Sequence, residues 1–121
     1  MKQNKEYFRG RHDCKDNELP EQILCAAIWY KEVGTPHHNV VNVDKGSVVC
    51  AHRHGHVIAL MMNLTGLRTV TYAKDGVGEH IQGFLTNKNR FVDRQEAAKI
   101  AMAQGQCIDI GTDDLYSEDL Y

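Results

Sequence analysis

The chain has 121 residues, 42% of them hydrophobic, and a formal net charge of -2. That length suits one small globular domain with a single core, and the near-neutral charge excludes a general polyanion binder, whose surface is strongly basic. No apolar run approaches the length of a membrane span, and the charged N-terminus lacks the apolar stretch of a signal peptide, so a soluble protein is expected.

Residues 1–20 carry charges of both signs and few apolar groups, which predicts a polar N-terminal arm ahead of a domain over 21–121. From Ile23 the apolar residues run nearly unbroken to Tyr30, and length alone does not separate a buried strand from a short helix. Ile28, Trp29 and Tyr30 prefer pleated surfaces, so a strand is expected over the C-terminal half of the run. Gly34 to Asn39 reads as a loop. Ser47 to Ala51 reads as a second strand, opened by the turn residues Asp44-Lys45-Gly46.

A helix is predicted over His56 to Asn63, with Val57, Leu60, Met61 and Leu64 at helical spacing and Gly66 as its stop. Arg68 to Ala73 and Glu79 to Leu85 then read as a hairpin joined through Lys74 to Gly78, with Val70 and Tyr72 alternating against Thr69 and Thr71. The clearest helix signal covers Arg94 to Gln104. Asp93 is placed to cap its start, Glu96 stands three residues on, and Gly105 follows its end. Ala97, Ile100, Ala101 and Gln104 form a narrow stripe that allows close approach to a partner surface. Apolar residues spaced between the carboxylates of the acidic C-terminus predict a tail that docks. The fold class expected is a small α+β domain, with a barrel-like or curved, mostly antiparallel sheet and two main helices.

Three constellations carry chemistry. The first is Thr86 to Arg94, where three cations, two amides and Phe91 arrive just before a helix start. Arg and Lys pair phosphates, an aromatic ring stacks a base, and a helix N-terminus favours anions. Asp93 competes with a phosphate there and suits a ribose diol better. A solvated loop capping the helix, with Phe91 as a hydrophobic staple, explains the same residues.

The second is His52-Arg53-His54-Gly55-His56. It superficially resembles the histidine-triad nucleotide hydrolases, although Arg53 and Gly55 stand where that pattern is apolar. Histidines at the rim of a pocket are the plainer reading. The third is Trp29 with Tyr30, read either as core or as a stacking wall for a purine. Four cysteines, Cys14, Cys25, Cys50 and Cys107, lack Cys-x-x-Cys spacing and read as buried, reduced thiols. No cofactor, metal or catalytic residue is expected, and the chain reads as a binder rather than an enzyme.

Taken together, Ile23 to Tyr30, Gly83 to Thr86 with Arg90 to Arg94, and Leu115 to Leu120 resemble small phage proteins, and most closely the first family of Thoeris anti-defence proteins. The resemblance covers about Glu21 to Leu120. It implies a compact α/β protein with a barrel-like core that dimerises through helices and acts in the host cytoplasm. Pockets at the dimer interface would trap a cyclic ADP-ribose messenger whole, without cleaving it. The expected partners are that nucleotide and further copies of the chain, as a homodimer or higher homo-oligomer, with neither membrane nor long nucleic acid. The expected ligand-binding residues are Trp29, Arg53, His54, Arg68, Asn89, Arg90, Phe91, Asp93 and Arg94. The alternative is a histidine-dependent nucleotide hydrolase using His52, His54 and His56.

Overall fold

The computed structural model describes residues 19–34, 39–107 and 114–120. Four strands, β1 (Ile23–Tyr30), β2 (Ser47–Ala51), β3 (His80–Thr86) and β4 (Phe91–Asp93), make one antiparallel sheet in the order β2-β1-β3-β4. Two helices, α1 (His54–Thr65) and α2 (Arg94–Ala103), and a 3-10 turn at Ser117–Asp119 accompany it. This is the expected α+β domain, with an open sheet rather than a closed barrel.

Strand β1 lies inside the sheet, and Ala26, Ala27 and Ile28 are all fully buried. Both of its faces are covered, so its sequence reads as a continuous apolar run instead of an alternating one. The strand therefore takes the whole of Ile23–Tyr30, not only the expected C-terminal half.

Alternation sorts the two faces. Ala26, Ile28 and Tyr30 stand on one face with Phe84 and Val92, and both helices cover it. Helix α1 supplies Val57 and Met61. Helix α2 supplies Ala97, Ala98 and Ala101, whose small side chains bring its axis close to the sheet. On the opposite face Ala27 and Phe91 pack with Val40 and Val43 of the loop before β2, and Trp29, Val48, Cys50, Ile81 and Leu85 lie around them.

Helix α2 starts as expected, with the Asp93 carboxylate accepting the Glu96 N–H at 2.8 Å. Helix α1 is longer than expected by two residues at each end, and Gly66 closes it with φ 74°. The predicted tail docking also holds. Leu115 is fully buried against the α2 side of the core, its N–H donates to the Arg94 carbonyl at 3.0 Å, and its own carbonyl accepts from Arg94 Nη1 at 2.8 Å.

The predicted hairpin between Arg68–Ala73 and Glu79–Leu85 does not form. Strand β3 already has β1 on one side and β4 on the other, which leaves no edge for a third partner. Residues 66–79 instead fold on themselves: Val77 N–H donates to the Arg68 carbonyl, Gly78 N–H to that of Val70, and Arg68 forks onto Asp75 at 2.7 and 3.0 Å. The hairpin that does form joins β3 to β4 through Asn87, Lys88, Asn89 and Arg90, with Asn89 at φ 57°. Asn42 covers part of the outer edge of β4, donating to the Phe91 carbonyl and accepting the Phe91 N–H.

Candidate functional site

The residues singled out from sequence fall into four places. Trp29 and Phe91 meet on the sheet face away from the helices, edge to face with ring centroids 6.0 Å apart. Phe91 is only 6% exposed and lies across Gly83, where an added Cβ would run into the Phe91 ring and the Val92 carbonyl oxygen. Its ring is a core element and offers no open face to a base. Trp29 donates to the Lys45 carbonyl at 3.0 Å and carries Lys31 over its ring.

Asn89 and Arg90 belong to the β3–β4 turn. Arg90 forks onto Glu21 at 2.8 and 2.9 Å and also reaches Glu96 at 3.0 Å. Thr86 donates to the same Glu21 carboxylate at 2.7 Å, and these partners hold the Glu21 carboxyl below its usual range, Arg90 foremost. Arg68 stands apart, exposed and paired with Asp75.

The fourth place gathers His54, Asp93 and Arg94, with Arg53 beside the tail at 3.9 Å from Glu118. Here the starts of α1 and α2, the middle of β3 and the C-terminal tail converge. A cleft of about 320 Å³, open to solvent, is lined by Gln82, Asp93, Arg94, Gln95 and Asp114. Small-molecule sites typically occupy about 300–1,000 Å³, so it sits at the lower end of that range.

Arg94 organises this corner. Its guanidinium donates to Leu115 O at 2.8 Å and to Gln82 Oε1 at 2.6 Å, approaches His54 Nδ1 at 3.4 Å, and lies 4.4 Å from the centre of the Tyr116 ring. Every one of these partners is uncharged. Among the described residues no salt bridge of Arg94 is found, and its hydrogen bonds there go to neutral groups.

His54 is 7% exposed, the first residue of α1, and packs edge-on to Phe84. One ring nitrogen, Nε2, lies 2.7 Å from the Gly83 carbonyl, which only accepts; Nε2 therefore carries the proton and Nδ1 keeps its lone pair toward Arg94. Burial pushes the His54 pKa down, the Gly83 carbonyl opposes this, and the Arg94 charge adds to the lowering. A neutral imidazole with both nitrogens engaged holds α1 against β3.

Alternate histidines share one face only on a strand. The chain instead turns into α1 at His54, which points inward, while the rings of His52 and His56 stack outside at 5.8 Å. Among the described residues no group of three or more His, Cys, Asp or Glu side chains is placed to hold a metal. His37, His38 and most of the N-terminal arm lie outside the described residues.

Gln82, Gln95, Asp114 and Tyr116 were not among the expected site residues, yet Gln82, Gln95 and Asp114 line the cleft and Tyr116 lies against Arg94. A glutamine between the apolar residues Ile81 and Phe84 and an aromatic among tail carboxylates were the available signals.

The family model of the Phage T4 y16D protein matches residues 22–121. The chain belongs to that family. The matched span begins where the y16D-family sheet begins: Gln106, after α2, accepts the Ile23 N–H and donates to the Ile23 carbonyl, both at 2.7 Å. It also takes in the whole Arg94 cleft and its docked tail. No curated protein and no solved structure matches the chain. No helix among the described residues is long and apolar enough to cross a membrane.

Proposed function

We propose that this phage protein is a binding module which sequesters a cyclic ADP-ribose-type signalling nucleotide, uncleaved, in the host cytoplasm, and so silences a host defence. The Arg94 cleft is its anion-binding end. The observation that carries this reading is Arg94, a guanidinium whose hydrogen bonds among the described residues all go to neutral partners, at the mouth of a polar cleft. Such a group keeps its charge for an anionic guest, and its planar fork suits a phosphate. Asp93 and Asp114 line the same cleft and suit the hydroxyls of a ribose.

Size shapes the rest of the reading. A cleft this small takes a phosphorylated ribose, and enclosing a whole cyclic dinucleotide-like messenger calls for a second protomer, in keeping with a homodimer or higher homo-oligomer. Enclosure matters, because exposed ion pairs each contribute under about 1 kcal/mol, and tight capture needs a desolvated site.

Incubating the protein with cyclic ADP-ribose isomers, heating it and analysing the supernatant tests the proposal. Depletion of the free nucleotide before heating and its intact recovery afterwards is the expected outcome. A new product would replace sequestration with hydrolysis, and no depletion would remove the nucleotide reading altogether. Gln95→Ala, at an exposed position lining the cleft, should weaken capture while leaving the melting temperature unchanged.

A further inference from the structure

We propose that Cys25 and Cys50 form a reversible thiol–disulfide site, in which a hydroperoxide oxidises Cys25 and Cys50 closes the bond. The strand register places them. Ala27 pairs with Cys50 across β1 and β2, and Cys25 stands two residues along β1 from Ala27, so both thiols project from the same sheet face as diagonal neighbours. That face is the one turned away from the helices, and both cysteines are half-buried there rather than sealed in the core.

The two thiols interact across the strand pair. The Cys50 S–H supports a thiolate on Cys25 and brings its pKa down to about 7, whereas the neighbouring thiolate and burial push Cys50 up. Two thiols that interact this way favour one thiolate beside one proton-bearing partner, with Cys25 the side on which the thiolate is favoured. Reactive cysteines are those with thiolate character and access, and redox-sensitive ones are often paired with a resolving thiol.

The chemistry balances as two thiols plus one hydroperoxide giving one disulfide, one alcohol and one water. The Cys25 thiolate attacks the terminal peroxide oxygen, the O–O bond breaks, and the departing alkoxide takes up a proton, leaving Cys25 as a sulfenic acid. The Cys50 sulfur then attacks the Cys25 sulfur; the S–S bond forms, the S–O bond breaks, and hydroxide leaves with the Cys50 proton as water. Diagonal neighbours start about 7–8 Å apart at Cα, so closing to the disulfide length of about 2.05 Å draws the edge strand β2 toward β1. An external thiol reverses the step by exchange. The bond would tie the edge strand β2 to β1, on the far side of the sheet from the Arg94 cleft, so it is independent of nucleotide binding.

The test uses the full chain with Cys14→Ser and Cys107→Ser, leaving the pair as its only thiols. Treated with hydrogen peroxide, it should lose two hydrogens by intact mass, yield a peptide carrying Cys25 joined to one carrying Cys50, and return to its starting mass with dithiothreitol. Thiol loss should be at least about tenfold faster than in the same protein with Cys25→Ser. With Cys50→Ser in place, dimedone should trap a sulfenic acid on Cys25. Oxygen accumulating on Cys25 while Cys50 stays free, linkage only between separate chains, or equal rates with and without Cys25 would each overturn the proposal.

Discussion

Arg90 and Arg94 are four residues apart, arrive with the same charge, and meet opposite fates. Arg90 is taken up by Glu21 in a two-point fork and by one oxygen of Glu96, and serves to fasten the chain before β1 to the β3–β4 turn. Arg94 is held by a carbonyl, an amide, an imidazole and a ring. A cation neutralised inside the protein has little charge left to offer a ligand, while one oriented by dipoles retains it. Charge density in a stretch of sequence therefore does not locate a site; what decides is which partners the fold supplies.

The two arginines can be set against each other experimentally. The largest expected effect is on the tail that holds Arg94. Leu115→Ala removes a fully buried side chain and should cost about 2–5 kcal/mol in urea unfolding. It should weaken nucleotide binding as well, because the Leu115 backbone positions Arg94. Next comes Arg94→Glu, which should reduce nucleotide affinity at least about 100-fold, or ~2.7 kcal/mol, in calorimetric titration. If affinity holds while the tail stays docked, the cleft is not the anion site.

A smaller and opposite pattern belongs to the turn. Arg90→Ala should lower stability by about 1 kcal/mol, allowing for the partial exposure of its ion pairs, and leave affinity within about threefold of the parent. A larger loss of affinity than of stability would make Arg90 a ligand contact. The smallest effect is a pH dependence. The folded His54 pKa lies below its ordinary 6.5, so the unfolded chain takes up that proton first as pH falls. Stability from this group is present above pH 6.5 and lost as pH drops through the lower, folded value. His54→Gln should flatten that part of the stability–pH curve, read from melting temperatures across the window.

Several of these features were legible in the sequence. The α2 start rests on Asp93 and Glu96, local contacts that three residues of spacing announce. Strand β2 and tail docking likewise follow from nearby turn residues and apolar spacing. The ion pair of Arg90 was not legible, because Glu21 lies 69 residues away and nothing local announces it. Phe91 misled for the same kind of reason. Its ring direction is set by strand alternation within β4, a three-residue strand that sequence did not anticipate. The failed hairpin at Arg68–Ala73 shows a weaker version of this, since alternation there was real but β3 had no free edge.

The most direct measurement is a side-by-side titration of cyclic ADP-ribose isomers into Arg90→Gln and Arg94→Gln, two neutral substitutions that differ only in position. Loss of binding in Arg94→Gln with near-parental binding in Arg90→Gln is the predicted result. Equal binding by both variants, or loss confined to Arg90→Gln, would contradict the account.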